Sequence, residues 1–189
     1  MFHVESSLYW DRPTFVVTLP GAVAISYLSP LLAVIVGIVH ASLAPVILIG
    51  GVKPNLVLVA VVLVTVLAGF LPGITWAFVA GVTANLLVGD PLGSVPLTML
   101  VVAAFVAGGA RALGRLVWIY PVMATFLGSI LADLGTLAIG QLVGDVRIGR
   151  IPVDLIGGAA VLNAAIAAVL LYPARAAASR YAPDELAAW

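Results

Sequence analysis

The sequence has no cysteine and only two histidines, and acidic and basic residues together make up 8% of it. The missing cysteine excludes a disulfide framework and any thiol-based catalysis or metal binding. Scarcity of charge, against roughly 25% in soluble domains, excludes an ordinary water-solvated surface. The eight lysines and arginines are balanced by eight acids and form no basic cluster, so nothing points to nucleic acid or to a polybasic lipid switch. Regular alternation of apolar and polar residues is also missing, which argues against the strands of an outer-membrane barrel.

What fills the chain is apolar: 63% of its 189 residues are hydrophobic, and the mean hydropathy is +1.25. Val, Leu, Ala, Ile and Gly dominate, and helices satisfy their own backbone polar groups in hydrocarbon, so the expected fold is an all-α polytopic membrane bundle. The length allows one bundle over residues 1–189 and no sizeable soluble domain. The opening MFHVESSLYWDRPTF places acids and aromatics ahead of the first apolar run and is followed by no clear cleavage site. It is expected to be an uncleaved interfacial segment covering residues 1–19.

Hydropathy and chain breakers predict six crossings, each needing roughly 20 residues to span a hydrocarbon core of about 30 Å. Pro20-Gly21 and Pro45 bracket the first, about Ala22 to Leu43. Lys53-Pro54-Asn55 opens the second, Leu56 to Leu71, with Pro54 near a first helical position, and Pro72-Gly73 closes it. The third, Thr75 to Val88, is short for a full span; a tilt, an extension through the Pro-Gly turn or a partly re-entrant course stay open. Pro96 to Ala110 forms the fourth, ended by Arg111 and Arg115, and Val117 to Val143 the fifth, with Trp118 and Tyr120 at interfacial depth. After a polar loop over Gly144 to Asp154, Ile156 to Tyr172 makes the sixth, and residues 174–189 form a short cytoplasmic tail.

Placement of Lys and Arg favours both termini in the cytoplasm. That topology puts Arg12, Arg111, Arg115, Arg175 and Arg180 inside, and Lys53, Arg147 and Arg150 outside.

Small residues recur every four positions at Ala33, Gly37 and Ala41 and at Gly81, Asn85 and Gly89. Such stripes let backbones approach closely in lipid, and internal bundle packing is their first explanation, ahead of contact with another protein. Between the third and fourth helices the run GVTANLLVGDPLG, Gly81 to Gly93, ends a helix, makes a turn and starts another. Asp90-Pro91 stops the helix, Gly93 suits a turn that requires positive φ, and Asp90 is expected to be exposed.

Polar residues at membrane depth carry more information. Asp133 lies within the fifth apolar run, where an acid costs on the order of 2.5–3.5 kcal/mol unless paired, hydrated or protonated. One explanation is a proton relay or a ligand contact; the other is an internal hydrogen bond, with Asn85, Asn163, Thr83 or Ser129 as partner. A relay needs several titratable groups and the other helices offer only His40, which favours the hydrogen bond. Asn85 and Asn163 are each expected to bridge two helices. No pair of acids lies close in the apolar runs, and no set of metal-ligand spacing and no phosphate-binding glycine loop is present, so no enzyme activity, cofactor or metal is expected.

The run KPNLVLVAVVLV, then FVAGVTANLLVGDPLGSVPLTMLVVAAFVAG and the basic helix end RALGR, resembles the MreD family of bacterial rod shape-determining membrane proteins. Pro54-Asn55-Leu56 and Gly81 through Gly93, with Pro91-Leu92-Gly93 in the turn, carry the resemblance most strongly. Asp133, Asn163 and Tyr172-Pro173 extend it over about Lys53 to Arg175. Asn85 stands where that family commonly has aspartate, and Val88-Gly89-Asp90 replaces its usual Ser-Gly-small step. The resemblance implies a non-enzymatic component of the cell-elongation, peptidoglycan-synthesising machinery. Its direct partner would be an MreC-like bitopic protein, with MreB, RodA and a class B penicillin-binding protein contacted indirectly. It also implies a six-helix fold similar to the substrate-binding subunits of energy-coupling-factor vitamin transporters, and membership of that class is the competing expectation. The discriminator is the ligand pocket, since a scaffold predicts co-purification with a single-span partner and no high-affinity small ligand.

Overall fold

The computed structural model describes residues 20–43, 46–113, 118–144 and 152–181. The expected interfacial segment 1–19, Arg12, Arg115, Arg147 and Arg150 lie outside the described residues. Six helices follow one another: α1 (Pro20–Leu43), α2 (Leu56–Ala68), α3 (Phe70–Val88), α4 (Ser94–Leu113), α5 (Tyr120–Val143) and α6 (Val153–Tyr181). No strand occurs among the described residues. Helices α3, α4, α5 and α6, the last as far as Ala178, are each long and apolar enough to cross a membrane. Leu31, Phe78, Leu86, Val101, Leu134 and Val161 point outward with more than a third of their surface uncovered. That is the exterior hydrocarbon solvates and water does not, so the fold is a helical membrane bundle.

Helix α2 is the post around which the others stand. Its sequence, LVLVAVVLVTVLA, is apolar on every side, which suits burial on every side. Val57, Leu58, Val59, Val61, Val62 and Leu63 are all buried, and α2 touches each of the other five helices. It has 13 residues, or about 20 Å at 1.5 Å per residue, well short of a full span. Because protein surrounds it, irregular backbone can occupy the remaining depth, as lipid-exposed backbone could not.

The boundary between α2 and α3 differs from the expected one. Helix α2 ends at Ala68 rather than Leu71, and Gly69, at φ 95° and ψ −176°, makes the whole connection. An L-residue rarely adopts that conformation. Pro72 falls in the first turn of α3, where its missing N–H has no intrahelical partner to lose. Gly73 lets α3 lie on α2, since a Cβ there would collide with the Thr65 hydroxyl. Helix α3 therefore has 19 residues, enough for a crossing: of the courses open to a short third helix, it takes the extension through Pro72-Gly73. Likewise α6 continues through Pro173 to Tyr181, beyond the expected end at Tyr172, so the first part of the expected tail is helical.

Ala33, Gly37 and Gly81 of the small-residue stripes are spent inside the bundle, whereas Gly89 is exposed at the end of α3. A Cβ on Gly37 would lie 2.8 Å from Thr83 Cβ and 2.9 Å from the Ala80 carbonyl, so α1 packs backbone to backbone on α3. Ala33 is fully buried beside it. Gly81 does the same for α3 on α4. Helices α1 and α3 are also tied by Trp76, whose Nε1–H donates to Ser29 Oγ at 2.7 Å. Helices α4 and α5 are tied by the Tyr120 hydroxyl, which donates to the Val106 carbonyl over the space Gly109 leaves clear. Tyr120 is thus half-buried against α4, while Trp118 is exposed.

Candidate functional site

Helix α2 starts from a built polar joint. The Asn55 side chain accepts the N–H of Leu58 at 3.0 Å, an N-cap that satisfies one of the donors a helix start leaves open. Pro54, buried, precedes the cap rather than opening the helix. The Asn55 N–H donates to Asn163 Oδ1 at 2.7 Å, and Asn163 Nδ2 donates to Ser129 Oγ at 2.8 Å. One buried amide on α6 therefore holds the head of α2 and the middle of α5, an interhelical bridge as expected of Asn163.

Asn85 has a different task from the expected one. Its Oδ1 accepts the Gly93 N–H at 2.7 Å, and its Nδ2 donates to the carbonyls of Asp90 at 3.1 Å and Pro91 at 3.3 Å. It closes the α3–α4 turn onto the end of its own helix instead of bridging two packed helices. Gly89 caps α3 in the left-handed region, Gly93 sits at φ 89°, and Leu92 projects from the turn with 84% of its surface exposed. This geometry accounts for asparagine at position 85. A carboxylate can accept from Gly93 but cannot donate to two carbonyl oxygens.

The N-terminal ends of α2, α4 and α6 and the C-terminal ends of α1 and α3 meet around a cavity of about 420 Å³. Its walls carry His40 from α1, Lys53 from the α1–α2 connection, Asn55, Asp90 from the α3–α4 turn, and Asp133 and Thr136 from α5. The connection is folded back by Ile49 and Val52, which exchange both backbone hydrogen bonds across Gly50-Gly51. Val52 then packs on Gly158 of α6, which brings Lys53 to the rim. The cavity lies over the head of α2, in the depth that its short helix leaves unfilled.

Asp133 meets none of its expected partners. Asn163 is engaged with Asn55 and Ser129, Asn85 with the turn, and Thr83 with the Val79 carbonyl of its own helix at 2.8 Å. Asp133 Oδ2 is buried without a hydrogen-bond partner, and so is His40 Nδ1. His40 lies within electrostatic reach of Asp90. Asp90 is half-buried at the cavity wall rather than exposed on the turn. No three His, Cys, Asp or Glu side chains among the described residues lie close enough together to hold a metal ion.

Convergence of His40, Lys53, Asp90 and Asp133 escaped the sequence reading, because four separate elements supply them. The signals that could have found it were an acid in an apolar helix together with a histidine near a helix end.

A second concavity, of about 230 Å³, lies between α4 and α5 and is wholly apolar, with Phe105, Gly109, Ile119, Tyr120 and Met123 among its walls. Beside it Ala104, Gly108 and Ala112 line the outer face of α4 at spacings of four, all exposed, and a Cβ on Gly108 would meet nothing within 4 Å.

Comparison with protein-family models, with curated proteins and with solved structures finds no match for this chain.

Proposed function

We propose that this chain is a non-enzymatic membrane scaffold of the bacterial cell-elongation machinery, of the MreD kind, which holds an MreC-like single-span partner in place. The observation that carries this reading is the outward stripe Ala104, Gly108 and Ala112 on α4, beside an apolar concavity. Small residues facing lipid allow a second helix to approach backbone to backbone, where van der Waals packing drives association. In the corresponding stripes on α1 and α3, Gly37 and Gly81 are consumed in internal contacts. The rigid joints at Asn85 and Asn163 would keep the α4 face in one position, so that the partner is fixed in the membrane plane and MreB, RodA and the penicillin-binding protein are reached through it.

The chain would sit in the cytoplasmic membrane with both termini inside, in line with its Lys and Arg placement. Cysteines introduced singly at positions 104, 108 and 112, paired with cysteines along the partner's membrane helix, test the interface. Crosslinks with a four-residue period support it, and uniform failure removes α4 as the docking face. A C-terminal reporter active only outside the cytoplasm would overturn the topology.

The cavity favours a second reading, a substrate-binding subunit of an energy-coupling-factor vitamin transporter, since it gathers polar side chains that the sequence leaves scattered. Against that reading stands α1, whose Ala33 and Gly37 are buried on α3 and so are not free to dock a coupling subunit.

A further inference from the structure

We propose that the cavity over α2 is a binding site for a small organic cation, an amine with an apolar body. The inference goes beyond the docking of a partner helix and does not rest on it. The cavity meets α4 at Val95 and Met99, whereas the outward small-residue stripe occupies the other half of that helix.

Three observations lead to the same ligand chemistry. First, Asp133 lines the cavity and its carboxylate takes no hydrogen bond from the described residues, and an acceptor left unpaired in a largely buried place costs more than a hydrogen bond normally contributes. A cationic N–H donor supplies both the missing hydrogen bond and the opposite charge. Second, among the described residues the cavity walls carry two carboxyl groups, Asp90 and Asp133, and one ammonium, Lys53, which leaves the described walls acidic on balance. Walls of low dielectric concentrate that potential on whatever enters. Third, Val95, Met99, Leu137 and Ile156 form much of the remaining surface, which suits a hydrocarbon or aromatic body. A volume of about 420 Å³ falls in the range of small-molecule clefts, about 300–1,000 Å³. A bare metal ion fits neither that volume nor the described donor set, since no three His, Cys, Asp or Glu side chains among the described residues lie close enough together to hold one.

In the bound arrangement the amine donates to the Asp133 carboxylate, the body lies between α4 and α6, and Asp90 and His40 form part of the surrounding wall. Lys53, exposed at the rim, opposes the bound charge rather than recognising it.

The test is titration of the full chain in nanodiscs with benzylamine, tryptamine and agmatine, with phenylacetate as the anionic counterpart of benzylamine. Isothermal calorimetry and the thermal midpoint are the readouts. Saturable binding of at least one amine and none of phenylacetate is expected. Asp133→Asn should weaken that binding by about tenfold or more, since it removes a charged acceptor. Lys53→Met should strengthen it by about two- to fivefold, the effect of one rim charge. Should Asp133→Asn fail to fold, Thr136→Trp decides the matter: position 136 is exposed and lines the cavity, so the indole takes up space in the site while the acid is kept, and it should abolish binding. Absence of amine binding, unchanged affinity in Asp133→Asn or Thr136→Trp, or weaker binding in Lys53→Met would each overturn the proposal. A negative result here leaves the α4 crosslinking outcome unaffected, so the two readings fail separately.

Discussion

Gly81 of α3 lies against Pro96 of α4 so closely that a Cβ on the glycine would stand 2.7 Å from the proline Cα and 3.1 Å from its nitrogen. Both atoms belong to backbone and have no rotamer by which to retreat. Gly81→Ala should therefore destabilise the bundle by about 1–3 kcal/mol, the usual result of overpacking. Gly108→Ala, on the open face of the neighbouring helix, should leave stability within about 0.5 kcal/mol of the parent. Thermal midpoints of the two variants in the same detergent provide the check, and equal midpoints would contradict the packing described for α3 and α4.

Asn85→Asp tests the turn clamp. The carboxylate keeps the bond from Gly93 N–H but sets a charged oxygen against the carbonyls of Asp90 and Pro91. A loss of about 1–3 kcal/mol is expected, as for a buried polar group deprived of its partner. Asn85→Asp at full parental stability would mean that the amide's two donated bonds carry no weight.

Asn163→Leu removes the acceptor of the Asn55 N–H and the donor to Ser129 together. Hydrogen exchange at the Asn55 amide should accelerate, while the amides in the middle of α3 should keep their protection, because the lesion is confined to the α2–α5–α6 joint. Unchanged exchange at Asn55 would show that the bridge does not hold the head of α2.

Partner docking makes a claim about function without stability. Gly108→Leu should abolish co-purification of an MreC-like partner and leave the thermal midpoint of the isolated chain unmoved, because that position faces open space. Full retention of the partner would move the interface away from α4.

Riboflavin, biotin and related vitamins separate the two functional readings. A scaffold predicts no rise in midpoint with any of them, whereas a substrate-binding subunit held at a hundredfold excess over Kd gains about 2.7 kcal/mol. Strong stabilisation by one vitamin would replace the scaffold reading.

The helical membrane bundle was legible in the sequence because its cause is composition, and helix ends were legible where one breaker acts alone, as at Leu56 and Val88. They were misjudged where a proline proved compatible with helix. Pro72 fits a first turn, and Pro173 lies on an exposed face of α6, where losing one donor deletes little packing. The importance of Asn85 and Asp133 was visible as polar residues in apolar surroundings. Their partners were not, since hydrogen-bond reach depends on rotation about each helix axis, to which four-residue spacing is nearly blind. The cavity was the least legible feature of all, because it arises from the length of α2 relative to its neighbours rather than from any motif.

The bond from Asn55 to Asn163 joins residues 108 positions apart, the second of them on the last helix. Membrane proteins are inserted as they are synthesised, so α2 enters the bilayer long before the side chain that secures its head has left the ribosome. Helix α6 then acts as a latch: until it arrives the head of α2 stays open, and a chain truncated after α5 would present an unfinished bundle to the cell's quality control.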